Sequence, residues 1–390
     1  MHNGHVIETP FICERDGLQI RGMQYLPNGV QQAHYPAIIV GHGFTGNYLD
    51  TADYCRAFAG MGYAAFGFNF CGGGSTDDDP DFRSDGQSTD STILTEVEDL
   101  IAVKNAVQAL PFVDESNLIL AGFSQGGLVS GLTAAKCKDE IKKLIMIYPA
   151  LCIPDHARRG CLAGADYDVN DVPAIIDCKR TQLGRIYHDT VVDMDVFLEL
   201  SPYQGPVLIL HGLEDEVVDY SYAIRARESY APGQCHLQLI RDVGHSFSSH
   251  QQESAIASMR EFLLERKELL TIRVILTNHE TMQDGDYRTT RIYFTGYCDN
   301  ALFRGTIMPE GCDTQEHYLD ELTKMRAEYT LLGLDQEGQR CRLHIVNQRL
   351  DGGFKPTIET DSKHLAWLSQ ADLTAVLEFN KDGPTVRIFG

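Results

Sequence analysis

The sequence predicts an α/β fold in roughly the first two thirds of the chain, a mostly parallel sheet covered by helices on both faces, with an antiparallel β-barrel or sandwich after it. Six apolar segments long enough for buried strands occur before residue 241, with helical patterns between them. This alternation is typical of a parallel sheet. After residue 270 the apolar residues alternate with polar ones in short runs bounded by glycine turns, which indicates antiparallel strands.

The elements follow from these patterns in chain order. Residues 17–26 alternate apolar and polar side chains, so we expect an antiparallel edge strand at the start of the sheet. Residues 93–110 carry apolar side chains near one face of a 3.6-residue period, which predicts a long amphipathic helix. We predict buried strands at 37–40, 63–70, 118–121, 144–148, 207–210 and 237–240. Period-two runs predict antiparallel strands at 289–297, 326–334, 340–347, 373–379 and 385–389.

The segment 117–127 reads N-L-I-L-A-G-F-S-Q-G-G, an apolar strand that runs into a G-x-S-x-G turn. This motif places a serine on a sharp turn between a strand and a helix, as a nucleophile elbow does. Gly122 and Gly126 flank Ser124, and glycine is expected there because a Cβ would collide with the neighbouring strand and helix. An ordinary glycine-rich loop is the alternative. The strand before the turn and the helical pattern at 128–136 favour a nucleophile at Ser124.

A serine nucleophile needs a base in contact with it and a group that orients the base. His245 follows the last predicted strand of the parallel sheet, and Asp215 follows the strand before it. Both therefore lie at the carboxyl edge of the sheet, within reach of Ser124. The order Ser, Asp, His is that of one class of serine hydrolases and differs from two other known orders. Glu214 and Asp219 compete with Asp215 for the orienting role, since spacing alone does not exclude them.

His42, in G-H-G-F-T-G, is a second candidate for the base. It directly follows the first buried strand, where folds of this kind build the oxyanion hole, so we interpret it as structural. The backbone N–H groups of Phe44 and Gln125 are then predicted to hold the oxyanion, each contributing on the order of 3 kcal/mol to the transition state.

Residues 151–201 break the strand and helix alternation with several prolines and glycines. An insertion of this length is too long for an ordinary connection. We expect a lid over the carboxyl ends of the strands, where α/β sheets bind ligands; a surface excursion with no role in binding is the alternative. The predicted domains are 1–268, with the lid at about 151–201, and 269–390 for the barrel.

These motifs resemble those of α/β-hydrolases, and within them the bacterial cinnamoyl (feruloyl) esterases, over residues 17–268. The resemblance implies a lid whose polar side chains meet the ring hydroxyls of a phenolic acyl group, with Asp155 and Tyr187 as the counterparts in this chain. A solvated turn residue is the alternative for Asp155, and core packing is the alternative for Tyr187. The matching motifs are H-G-F-T-G at 42–46, F-N-F-C-G-G-G-S at 68–75, E-V-E-D at 96–99, G-F-S-Q-G-G at 122–127, H-G-L-E-D-E-V-V at 211–218 and G-H-S-F at 244–247.

The C-terminal region resembles a small bacterial β-barrel family of uncharacterised function, which implies a fold but no activity. Cys312, Asp313 and His317 have no second histidine or cysteine at ligand spacing, and the acidic stretch 77–85 lacks the D-x-D-x-D-G spacing of a calcium loop. We therefore predict no metal. An oligomerising or lid-bracing module is the expected use of the barrel, so a homo-oligomer through it is a further expectation. The matching motifs are T-R-I-Y-F-T-G at 290–296, G-T-I-M-P-E-G-C-D at 305–313 and H-L-A-W-L-S at 364–369.

The composition limits the partners. With 33 Lys and Arg against 55 Asp and Glu, the net charge of -22 repels phosphate backbones and anionic lipid headgroups, so we expect neither nucleic acid nor a membrane as a partner. The 11 cysteines form no C-x-x-C pair, which favours reduced, buried thiols. The first residues lack a basic and apolar signal pattern, and we expect a soluble, cytoplasmic protein.

The sequence thus predicts a serine carboxylesterase that hydrolyses small-molecule esters of hydroxycinnamic (feruloyl, caffeoyl, coumaroyl) acids through an acyl-enzyme, without a cofactor. Short-chain acyl esters and thioesters are the alternative substrates. A ligand-binding protein that kept the fold and lost catalysis is the rival from another class. That rival predicts a damaged catalytic set, whereas Ser124, Asp215 and His245 are all present.

Overall fold

The structure is a computed structural model that describes residues 6–27, 34–74, 82–309, 311–319, 321–350, 353–380 and 383–390. The chain forms two compact units, of which one ends at Ser246 and the other begins at Phe247. The domain boundary at residue 268 stays a prediction.

The elements of the first unit alternate as the sequence predicts. In chain order they are β1 (Ile7–Arg15), β2 (Leu18–Leu26), β3 (Tyr35–Gly41), α1 (Ala52–Gly60), β4 (Ala64–Phe68), α2 (Ile93–Gln108), β5 (Val113–Phe123), α3 (Gln125–Lys136), β6 (Ile141–Ile147), α4 (Ile153–Arg159), β7 (Cys161–Leu162), β8 (Ala165–Asp166), β9 (Ile175–Asp177), β10 (Gln182–Gly184), α5 (Arg185–Val191), α6 (Val196–Leu200), β11 (Val207–Gly212), α7 (Ser221–Ser229) and β12 (Cys235–Ile240).

Eight of these strands form one sheet in the order β1-β2-β4-β3-β5-β6-β11-β12. The pairs from β4 to β12 are parallel, whereas β1–β2 and β2–β4 are antiparallel. The buried parts of the central strands are apolar on both faces because helices cover both faces of the sheet; Ile38 and Ile39 of β3 and Leu118 and Leu120 of β5 are almost completely buried. The predicted α/β class is confirmed.

One detail of the predicted sheet is wrong. The segment 17–26 is not the edge strand, because β1 pairs with the outer side of β2 and occupies the edge. In β1 only Phe11 is buried, and Pro10 interrupts the alternation. A strand that buries so little leaves a weak apolar pattern, and for this reason β1 is not predicted.

The insertion at 151–201 folds into short helices and two small hairpins, β7–β8 and β9–β10. Its apolar side chains, among them Ile176, Leu183, Tyr187 and Val191, are buried in the core of the first unit. The insertion is therefore packed structure. Its role as a lid stays a prediction.

The second unit is a closed antiparallel barrel preceded by a helix. Its elements are α8 (Ser249–Leu263), β13 (Glu268–Asp284), β14 (Tyr287–Asp299), β15 (Phe303–Ile307), β16 (Gly311–Tyr318), β17 (Glu321–Asp335), β18 (Arg340–Leu350), β19 (Gly353–Thr360), β20 (Thr374–Asn380) and β21 (Gly383–Phe389). The sheet runs β13-β21-β20-β19-β18-β17 and on through β15 and β16 to β14, and the β13–β14 pairing closes it. Both β15 and β16 pair with β14 on one side and with β17 on the other, so the two short strands together occupy one strand position. The barrel therefore has eight strand positions, and the predicted fold is confirmed.

Candidate active site

Ser124 lies on the turn between β5 and α3, where its backbone adopts φ 51° and ψ -116°. Residues other than glycine rarely adopt this backbone conformation, so the surrounding structure must stabilise it. The Ser124 N–H donates to the Ile147 carbonyl at 2.9 Å, and its carbonyl accepts from Gly127 and Leu128. The two flanking glycines are required as predicted, because a Cβ on Gly122 would lie 2.1 Å from the Gly126 carbonyl oxygen, a contact that real Cβ atoms do not make.

The structure brings the three predicted side chains into one hydrogen-bonded chain. Ser124 Oγ lies 2.8 Å from His245 Nε2, and His245 Nδ1 lies 2.8 Å from Asp215 Oδ2. Each residue follows the carboxyl end of a different parallel strand, namely β5, β12 and β11. A carboxylate at Nδ1 fixes the proton on that nitrogen and leaves Nε2 free to accept the serine proton.

Asp215 is buried and has a full set of donors. Its Oδ1 accepts from the backbone N–H groups of Val217 and Val218 at 2.9 and 2.8 Å. His211 Nε2 lies 3.3 Å from Oδ2 and also donates to the Val218 carbonyl at 2.9 Å. Burial alone would raise the pKa of Asp215, but the hydrogen bonds from His211, His245 and Val218 outweigh it and hold the pKa well below its usual range. Asp215 is therefore an anion at the working pH.

Of the two competing acids, Glu214 is exposed. Asp219 accepts from the Ser221 N–H at 2.9 Å at the start of α7. The hydrogen bond to His245 belongs to Asp215. His42, the second candidate for the base, is 2% exposed; its Nδ1 donates to the Gly43 carbonyl at 2.8 Å, and its Nε2 accepts from the Phe70 N–H at 3.3 Å. With both ring nitrogens engaged, His42 braces the loop that carries Phe44.

Phe44 and Gln125 are the predicted oxyanion-hole residues, and both line one cavity. Gln125 is the first residue of α3, so its N–H has no acceptor within the helix and points out of the helix N-terminus. The loop before Phe44 is close to the nucleophile, because a Cβ on Gly43 would lie 3.4 Å from Ser124 Cβ. The loop that carries Phe44 and the first residue of α3 thus both lie close to Ser124.

The Gln125 side chain joins two buried groups that extend the site. Its Nε2 donates to Glu96 Oε1 at 2.7 Å, and its Oε1 accepts from the Tyr187 hydroxyl at 2.7 Å. Burial, with a smaller contribution from Asp99, raises the pKa of Glu96 to about 8. Glu96 is therefore a neutral acid at pH 7, and its Oε2 has no hydrogen-bond partner among the described residues.

The cavity beside these groups measures about 320 Å³ including its opening, and glycines and hydroxyl side chains form much of its wall. Tyr187 lines it, so the structure brings this predicted substrate contact to the site. Asp155 does not line it; its oxygens accept from Arg158 at 2.6 Å and from the Tyr222 hydroxyl at 2.7 Å. Burial alone would raise the pKa of Asp155, but these bonds lower it.

Three residues of the site had no role in the sequence prediction. His211 supports Asp215, and Glu96 supports Gln125; both lie within quoted motifs, but a motif does not say which of its polar side chains meet. Tyr148 follows β6 with φ 34°, and its ring centroid lies 4.8 Å from that of His245. A strained residue at a strand end beside the base is a feature that only the folded backbone reveals.

Within the described parts of the chain, no group of three or more His, Cys, Asp or Glu side chains is placed to hold a metal ion. Of the acidic stretch, Asp77, Asp78, Asp79 and Asp81 lie outside the described residues, and Asp85 accepts from Arg21 Nη1 at 2.9 Å. No described helix is long and apolar enough to cross a membrane.

The sheet order and the elbow at its centre define an α/β-hydrolase. The sequence profile of the acetyl xylan esterase (AXE1) family matches residues 11–261, and the chain belongs to this family. It is an ester-hydrolysing enzyme of the α/β-hydrolase fold. No curated protein matches the chain.

Among solved structures, Est1E from Butyrivibrio proteoclasticus with ferulic acid bound is 29% identical, with a TM-score of 0.58 over 65% of this chain and 98% of that one. A second structure of Est1E from the same organism is 28% identical, with a TM-score of 0.56 over 66% and 98% of the two chains. The complex of DcsB with its substrate analogue is 20% identical, with a TM-score of 0.53 over 66% and 99%, and shares the fold. The predicted resemblance is confirmed.

Proposed function

We propose that this esterase uses Ser124 as a nucleophile and proceeds through an acyl-enzyme. The observation that carries the proposal is the continuous chain of two 2.8 Å contacts from Ser124 through His245 to Asp215. His245 Nε2 takes the hydroxyl proton as Ser124 Oγ attacks the ester carbonyl carbon. The Asp215 anion holds the Nδ1 proton and stabilises the imidazolium that forms.

The carbonyl oxygen becomes an oxyanion in this step, and the N–H groups of Phe44 and Gln125 are the proposed donors to it. As the intermediate collapses, the bond to the alcohol oxygen breaks and His245 returns the proton to that oxygen. Water then attacks the acyl-serine, with His245 again as the base, and releases the acid. These steps require no cofactor.

We propose esters of hydroxycinnamic acids as the substrates. Two observations support this choice: a chain 29% identical was solved with ferulic acid bound, and Tyr187 lines the cavity beside Gln125. The Tyr187 hydroxyl donates to Gln125, so its remaining lone pair is available to accept from a substrate hydroxyl. Asp155, held by Arg158 and Tyr222, has a structural position instead.

Short-chain acyl esters are the second candidate, favoured by the family to which the chain belongs and by the limited cavity of about 320 Å³. A thioester would meet the same nucleophile and donors. The non-catalytic rival predicts a broken set of catalytic contacts, and the intact contacts of His245 speak against it.

The test is hydrolysis of ethyl ferulate and of 1-naphthyl acetate by the full chain. We expect kcat/KM to favour ethyl ferulate, and a preference for the acetyl ester would move the assignment to the second candidate. Ser124→Ala should abolish both activities because the nucleophile is lost. Ser116→Ala is the matched control, since Ser116 is exposed and its hydroxyl donates to the nearby Asp114; its activity should equal that of the wild type.

A further inference from the structure

The barrel of the second unit encloses a cavity of its own. Together with the space at its open mouth it measures about 640 Å³. Apolar side chains dominate its wall, among them Val274, Ile292, Phe294, Leu377 and Val386. Barrels of eight strands are wide enough either to fill with side chains or to hold one small ligand, and this one leaves space.

Three polar groups face this apolar space without a partner. They are Asp313 Oδ1, the Tyr329 hydroxyl and Asn347 Oδ1, and none of them has a hydrogen-bond partner within the described part of the chain. Their residues are 8%, 3% and 6% exposed, respectively. A buried polar atom left unsatisfied costs about 1–3 kcal/mol, so three in one cavity are a feature that requires an explanation.

Strand register explains how the groups converge. Asp313 of β16 is opposite Ala327 of β17, and Ala327 is opposite Asn347 of β18, so the three form one row across the barrel wall. The alanine between the two polar residues has a side chain too short to fill the gap. Tyr329 is two residues beyond Ala327 and therefore faces the same side of the strand.

The chemistry of the groups limits what they bind. Asn347 Oδ1 is an acceptor, and the Tyr329 hydroxyl both donates and accepts. The second oxygen of Asp313 accepts from Gln315 Nε2 at 2.8 Å, and burial raises the pKa of Asp313 above its usual value. A neutral donor suits this environment better than an ion does, because the apolar wall offers a charge no solvation.

The cavity also has an apolar entrance. Leu276 and Phe379 line it and remain 54% and 49% exposed. Exposed apolar side chains at the mouth of a cavity are typical of a binding site.

We propose that the barrel binds a small, mostly apolar alcohol or phenol, whose hydroxyl donates into the row of Asp313 and Asn347 while its body packs against the apolar wall. Binding at this site is non-covalent and uses none of the residues proposed for ester hydrolysis. The proposal does not depend on the serine mechanism.

The test is calorimetric titration of the full chain with 4-propylphenol and, as a counterpart without a hydroxyl, propylbenzene. We expect saturable binding of the phenol, at least tenfold tighter than that of propylbenzene. Asn347→Ala should weaken the phenol about tenfold and leave propylbenzene unchanged, because only the phenol uses that acceptor.

Ala327→Leu should abolish binding of both probes by filling the gap. Ala301→Leu is its matched control, since Ala301 is an exposed alanine in the turn between β14 and β15, and it should bind as the wild type does. Trp367, the single tryptophan of the chain, lies in the second unit. Its fluorescence checks that each variant is folded. The proposal is overturned if the phenol does not bind saturably, binds Ala327→Leu equally well, or shows no preference over propylbenzene.

Discussion

Glu96→Gln tests the buried polar network behind the site. Glutamine has the same shape as a protonated glutamate and keeps the acceptor for Gln125, whose Nε2 lies 2.7 Å from Glu96 Oε1. The variant can keep this hydrogen bond but cannot ionise. Because burial raises the pKa of Glu96 to about 8, the folded protein keeps this proton between the unfolded pKa of about 4.3 and pH 8, whereas the unfolded chain has already released it.

The magnitude follows from that difference in bound protons. Where the folded state binds one proton more than the unfolded state, the free energy of unfolding falls by about 1.4 kcal/mol per pH unit. The stabilisation from neutral Glu96 is therefore fully present below pH 4 and is lost as the pH rises toward 8. Between pH 5.5 and pH 8 the wild type should lose roughly 3 kcal/mol that the variant keeps.

The assay is urea unfolding at both pH values, followed by helical circular dichroism, to which the seven helices α1–α7 of the first unit contribute most. Fluorescence of Trp367 follows the second unit separately. All other titrating groups are the same in the two proteins, so their contributions cancel in the comparison. If the stability difference between variant and wild type changes by less than about 0.5 kcal/mol over this range, Glu96 is ionised in the fold and the reasoning is refuted.

Two further substitutions test the site. Asp215→Asn should lower kcat by about four orders of magnitude, because the amide no longer fixes the reactive tautomer of His245. The free energy of unfolding of this variant should also fall less steeply below about pH 4, where the wild type loses its anionic Asp215. A small change in both measurements would contradict the role of Asp215. Gly122→Ala should prevent correct folding, since the new Cβ would meet the Gly126 carbonyl at 2.1 Å. Gly60→Ala, at a helix position with open space, should leave stability unchanged or raise it by up to about 1 kcal/mol, and equal effects of the two alanines would refute the steric argument.

The sequence predicts those parts of the fold in which one physical requirement dominates. Buried parallel strands must be apolar on both faces, so the cores of β3 and β5 stand out from composition alone. Ser124 is identifiable because its strained turn admits only glycine on both sides. The strand β1 escapes prediction because it buries a single side chain and contains Pro10.

Contacts between distant polar side chains are the part that the sequence does not predict. Asp215 is recognisable from its place after β11, but its second donor, His211, is visible only when the loop closes back on the strand. The partnership of Glu96 with Gln125 depends on the packing of α2 beside α3. In the barrel, Asp313 suggests a metal ligand when it is considered with Cys312, and strand register instead pairs it with Ala327.

The central claim is that Ser124 is the nucleophile of this esterase, and covalent labelling tests it most directly. The full chain is treated with a fluorophosphonate, digested, and the modified peptide is sequenced by mass spectrometry. We predict one modification, on Ser124, formed at a rate that falls sharply in Asp215→Asn, with loss of esterase activity in proportion to labelling. Modification of another residue, or full activity in protein labelled at Ser124, would contradict the claim.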